Sequence, residues 1–175
     1  AFDKNGKHIG LTSDYFNIFR KEIPIPINII KTATWDQTLK LSKSRKCDII
    51  SLAMETKDRK KYLNFTTAYL KTPLVLATKL DKSFVNDFSS LTSKQKIGIP
   101  KGYAFVEILK KAYPNLNIIE VENIHKGLKK VIDGDHFGYI GTLNSIGYLF
   151  QREFTGELKI AGKFNEQWEL GVAVR

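Results

Sequence analysis

Cysteine is nearly missing from this chain: Cys47 is the only one, so no internal disulfide can form and packing must hold the fold. Cys47 stands beside Asp48 at the entrance to an apolar run, the setting of a small buried thiol rather than a nucleophile. Long hydrophobic runs are missing too. None approaches the roughly 18 residues that a bilayer-spanning helix needs, and no secretory leader opens the chain. The chain is therefore expected either to be cytosolic or to stand apart from its own targeting and anchoring segments. The 3 histidines, His8, His125 and His136, lie far apart with no metal-ligand spacing. No P-loop, dinucleotide-binding glycine pattern or nucleophile elbow is present, so the expectation is no cofactor and no metal. Glu55 alone gives thin support for an acid–base enzyme.

Acidic charge is in deficit, with 18 Asp and Glu against 28 Lys and Arg and a formal net charge of +10. The excess is dispersed: Lys60-Lys61, Lys110-Lys111 and Lys129-Lys130 fall in three separate segments, and no longer basic block occurs. Nucleic-acid binding would favour a basic stripe interleaved with arginines or stacking aromatics, and none is seen. A lysine-rich solvated surface that attracts anions fits better. Arginine itself is scarce, 5 residues beside 23 lysines.

What is present is a regular alternation of elements. With 42% hydrophobic residues, a chain of 175 can bury a substantial core in one or two lobes. Apolar spacing predicts helices over Tyr15–Ile23 and about Trp35–Arg45, with strands at 27–30, 48–52 and 73–78. The polar stretch from Asp81 to Lys96 reads as connection, and then the pattern restarts. Strands are expected at 96–99, 117–121 and 137–140, with helices led by Phe105, by Leu128 and by Leu143. Closing strands follow at 158–161 and 170–174. Alternation at this spacing predicts an α/β fold with mainly parallel sheets.

Within this order Thr56-Lys57-Asp58-Arg59 leads into Phe65-Thr66-Thr67-Ala68-Tyr69. A guanidinium presents a rigid fork that fits a carboxylate two-to-two, which an ammonium cannot do. The segment resembles the Thr-x-x-Arg…Phe-Thr-x-x-Tyr signature of the bacterial solute-binding proteins of family 3. Further matches follow in order: Gly6…Gly10…Asp14, Trp35-Asp36…Leu39, Asp48-Ile49-Ile50, Lys101-Gly102-Tyr103, and Glu169 to Val174.

The resemblance implies a two-lobed, type II periplasmic-binding-protein-like fold, with a helix-flanked, mainly parallel sheet in each lobe. Lobe 1 would span 1–74 plus 170–175, lobe 2 would span 77–168, and two crossings would make the hinge. The family's first strand would precede Phe2 and its final helices would follow Arg175. The ligand would lie between the lobes, a common location for small-molecule pockets.

At that site Arg59 would hold a carboxylate, and Thr56 would cap the turn that carries it. Tyr103 and Ala104 would donate backbone N–H groups to the same carboxylate from the helix start in lobe 2. Trp35 would stack over the ligand, with a core position for it as the competing reading. Tyr69 would shape the hinge side. Two features depart from the family's amino-acid binders. Thr142 stands where an aspartate usually holds the ammonium, and Leu52 and Met54 replace small hydroxyl residues. Both favour a carboxylate or amino-acid-like ligand without a firmly held ammonium.

The function implied is an extracytoplasmic, periplasmic sensor domain of a membrane receptor such as a histidine kinase. Its membrane link would lie outside this chain, and a dimer is expected in the full-length receptor. The alternatives are a soluble binding protein of an ABC importer and, further off, a dehydratase-like enzyme on the same fold.

Overall fold

The structure, a computed structural model, describes residues 2–3 and 5–175, so positions 1 and 4 of the expected first lobe lie outside the described residues. Among the described residues five α-helices form: α1 (Leu11–Glu22), α2 (Trp35–Lys43), α3 (Phe105–Ala112), α4 (Ile124–Ile132) and α5 (Leu143–Arg152). Three of them carry side-chain caps. Thr34, Asn123 and Thr142 accept from the amides of Gln37, Lys126 and Ser145 at 3.2, 2.9 and 3.3 Å, each satisfying an N–H that the helix cannot.

The strands are β1 (Ile49–Ala53), β2 (Asn64–Phe65), β3 (Leu70–Lys79), β4 (Lys96–Pro100), β5 (Asn117–Val121), β6 (Gly138–Thr142) and β7 (Leu158–Val174). They form one sheet in the order β1-β7-β3-β6-β4-β5, with β2 also on β7. The mixed α/β fold expected from the alternation is present, but its strand directions differ. Parallel pairing is confined to β4 with β5 and β6. All other pairs are antiparallel. The cause is β7: the closing strands predicted at 158–161 and 170–174 are one strand of 17 residues. It runs back along β3 from Leu158 opposite Lys79 to Leu170 opposite Leu70.

The strand expected at 27–30 is absent. A strand needs a ladder partner, and this segment faces Ile49 to Leu52 across a groove of about 450 Å³. Ile29 and Ile30 consequently remain exposed.

The core falls into three clusters. The largest surrounds Leu74, Leu76, Ile97, Phe105, Phe164 and Trp168. A second joins α4 and α5 to the sheet through Leu128, Val131, Tyr139 and Ile146. A small third, around Ile50, Leu63 and Ala173, carries Trp35 and Leu39 of α2 against β1. Phe88, in the stretch read as mere connection, stacks on Phe164 with ring centroids 3.7 Å apart and pins that segment to the core. Cys47 is half-buried rather than buried, and its thiol donates to the Ile49 carbonyl at 3.2 Å.

Candidate functional site

A cavity of about 670 Å³ opens where β1, the β3–β7 pair, α5 and the Lys101–Ala104 turn converge. Arg59 sits in its wall, held by the turn that Thr56 organises. The Thr56 hydroxyl accepts from the Arg59 amide at 3.2 Å, and the Thr56 carbonyl accepts from Lys60 at 2.9 Å. Thr56 itself does not line the cavity, so it positions Arg59 rather than touching the space beside it.

The Arg59 residue is only 6% exposed. Its Nη1 donates to the Met54 carbonyl at 2.8 Å and its Nη2 to the Gly102 carbonyl at 3.1 Å. Among the described residues no carboxylate pairs with it. Burial pushes its pKa down, partly offset by Tyr62 and Tyr103. A buried charge without a counter-charge is expensive, so this guanidinium is poised to gain from an anion.

The turn at Gly102 differs from the expectation. Gly102 has φ +74°, the left-handed region that glycine tolerates. Its carbonyl accepts from Arg59 and also from Trp35 Nε1, at 3.2 Å. The Tyr103 amide donates back to the Pro100 carbonyl at 3.3 Å instead of pointing at the cavity. Ala104 precedes α3 and does not line the cavity. This turn therefore presents a carbonyl to Arg59 where two backbone donors were expected. Tyr103 contributes its ring, edge-on to Trp35 at 6.3 Å and to Trp168 at 4.7 Å, and burial raises its hydroxyl pKa.

Trp35 lines the cavity, and the Arg59 guanidinium lies over its ring at 5.2 Å. Leu52 and Met54 line it as well, and so does Thr142, whose hydroxyl is spent capping α5 and bonding Ser145 Oγ at 2.8 Å. Tyr69 lies outside the lining; its hydroxyl donates to the Ser51 carbonyl at 2.7 Å and its ring packs on Tyr15. Glu55 faces solvent in an ion pair with Lys60. No group of three metal-ligating side chains occurs among the described residues, and none of their helices is long and apolar enough to cross a membrane.

Several lining residues escaped the sequence reading. Thr72 and Trp168 face each other across β3 and β7, and both bury a polar side-chain atom without a partner. Arg152, Tyr148, Ser145 and Asn144 enter from α5, and Ile9 to Thr12 from the start of α1. Signals existed for two of these. Trp168 is one of 2 tryptophans and directly precedes the Glu169–Val174 segment that carries the family resemblance, and Arg152 is one of the 5 arginines.

Comparison with known proteins gives a consistent picture. Over 152 residues the chain is 20% identical to the virulence sensor protein BvgS of Bordetella pertussis, covering 87% of this chain and 12% of that protein. The crystal structure of the periplasmic VFT2 domain of B. pertussis BvgS superposes with a TM-score of 0.83 at 20% identity, over 93% of this chain and 69% of the other. A binding component of an ABC transporter from Wolinella succinogenes, complexed with lysine, superposes with a TM-score of 0.86 at 19% identity, over 99% and 76%. At these identities the structural likenesses speak to the fold. The family model of the bacterial extracellular solute-binding proteins, family 3, matches residues 1–146, and the chain belongs to that family.

Proposed function

We propose that this domain binds a small carboxylate-bearing molecule in the cavity beside Arg59 and serves as the extracytoplasmic sensory input of a membrane receptor. The observation that carries the binding reading is the buried, carboxylate-free guanidinium in the wall of a cavity the size of a small-molecule site. In this reading residues 1–74 with 170–175 form one lobe and 77–168 the other. β3 and β7 pass between them, and an acid on Arg59 would compete with the Gly102 carbonyl for the same donors. Ligand would thereby shift the equilibrium between two lobe arrangements, and the receptor would read that shift.

The receptor role is supported by the likeness to BvgS, a sensor of which this chain spans about an eighth. The importer reading draws on the lysine-bound transporter component. It is disfavoured because lysine brings a second positive charge to a cavity whose described lining has no carboxylate. Among the described residues the lining holds no aspartate, glutamate or histidine, which gives an acid–base enzyme reading little to build on.

The test is calorimetric titration with a panel of small organic acids and amino acids, after a thermal-shift screen that exploits stabilisation by mass action. At least one acid should bind, and Arg59→Ala should remove that binding. Wild-type affinity in Arg59→Ala would overturn the reading.

A further inference from the structure

The charge composition of the cavity is lopsided in a way that the molecule as a whole is not. None of the 23 lysines, and no aspartate or glutamate, stands among the described residues of its lining, yet 2 of the 5 arginines do. The second is Arg152. On α5, Ser145, Tyr148 and Arg152 recur at helical spacing along one face, about 10 Å from first to last, and all three line the cavity. The Arg152 guanidinium lies over the Tyr148 ring at 5.2 Å and donates to the Tyr148 hydroxyl, a neutral partner that orients the fork without neutralising it. Like Arg59, it pairs with no carboxylate among the described residues. The other polar residues that α5 and its cap bring to the lining, Thr142, Asn144 and Ser145, are all neutral.

We infer that the ligand is a diacid: one carboxylate is held by Arg59, the second by Arg152, and no ammonium is recognised. This rests on the carboxylate-binding reading of Arg59 and adds to it a second anchor on α5. Arginine at both ends suits carboxylates because each fork can donate two parallel hydrogen bonds. The Arg59 end is buried and supplies the larger part of the affinity. The Arg152 end is solvent-exposed, so its contribution is smaller and is screened by salt.

Calorimetric titration of the wild-type domain with straight-chain dicarboxylates from succinate to azelate, each beside the monocarboxylate of equal chain length, tests this. The expected result is a diacid that binds about five- to tenfold more tightly than its matched monoacid. Arg152→Gln, at an exposed helical position, should erase that preference by lowering diacid affinity several-fold more than monoacid affinity. Arg152→Lys, which keeps the charge but loses the fork, should retain only part of it. Equal binding of mono- and diacids by the wild type, or an undiminished preference in Arg152→Gln, would overturn the second anchor and leave the Arg59 site standing. Failure of every acid to bind the wild type would overturn the Arg59 reading itself.

Discussion

Arg59 carries two opposed free-energy terms. Its two carbonyl contacts stabilise the fold, and the desolvation of an unneutralised charge costs it. Arg59→Met should therefore change the unfolding free energy by less than about 2 kcal/mol in either direction, while acid affinity falls by about 100-fold. Denaturant unfolding and calorimetry on the same variant separate the two. A large loss of stability would make Arg59 a structural residue first.

His136 makes the opposite case, a buried titratable group away from the cavity. Its Nδ1 has no partner, and burial, followed by Lys130, holds its pKa below the ordinary value. Below about pH 6.5 the unfolded chain takes up a proton that the folded chain resists. Stability is therefore full above that value and declines as pH falls towards the depressed folded value. The melting temperature should drop between pH 7.5 and 5.5, and His136→Gln should flatten part of that drop. An identical pH profile in the variant would remove His136 as a cause.

At the scale of elements, α5 is the most informative. Thr142 ends β6 and caps α5 with a hydroxyl that an aspartate could replace in the same role. Thr142→Asp should keep the helix and add the negative charge that the cavity lining lacks. Titration should then show improved affinity for α-amino acids and weaker affinity for simple acids. No gain for any amino acid would mean that charge at this position does not set selectivity.

The helices were the most legible elements, because their apolar faces recur at 3.6 residues and several begin at a capping residue. α3, for example, is announced by Phe105, Ile108, Leu109 and Ala112. β7 was legible only in part. From Lys163 to Leu170 exposed and buried residues alternate, but half-buried Glu166 interrupts the apolar set and makes one strand read as two. The run at 27–30 misled for the converse reason, having strand-like residues but no partner. At the site, Arg59, Trp35, Leu52, Met54, Tyr103 and Thr142 were each legible as lining residues. The turn at Gly102 was not, because whether such a turn shows donors or a carbonyl depends on the backbone angles of one glycine.

For the whole molecule, the sheet order explains why these residues meet. β3 and β7 lie at the middle of one sheet, β1 and its α2 to one side and β6, β4 and β5 to the other. Residues more than 40 positions apart, Arg59 and Gly102, are thereby brought into a direct hydrogen bond of 3.1 Å beside the cavity. The net positive charge of the chain, with no carboxylate among the described residues of the cavity lining, favours the approach of anions. Parallel and antiparallel pairings could not be separated from the alternation of elements alone, because the return of β7 along β3 is a long-range contact with no local signature.

The most direct test is a crystal structure of the domain bound to whichever acid most raises its melting temperature. A carboxylate is expected on the Arg59 guanidinium, inside the cavity walled by Trp35, Tyr103 and Trp168. An acid bound elsewhere, with Arg59 still held only by the Met54 and Gly102 carbonyls, would contradict that expectation.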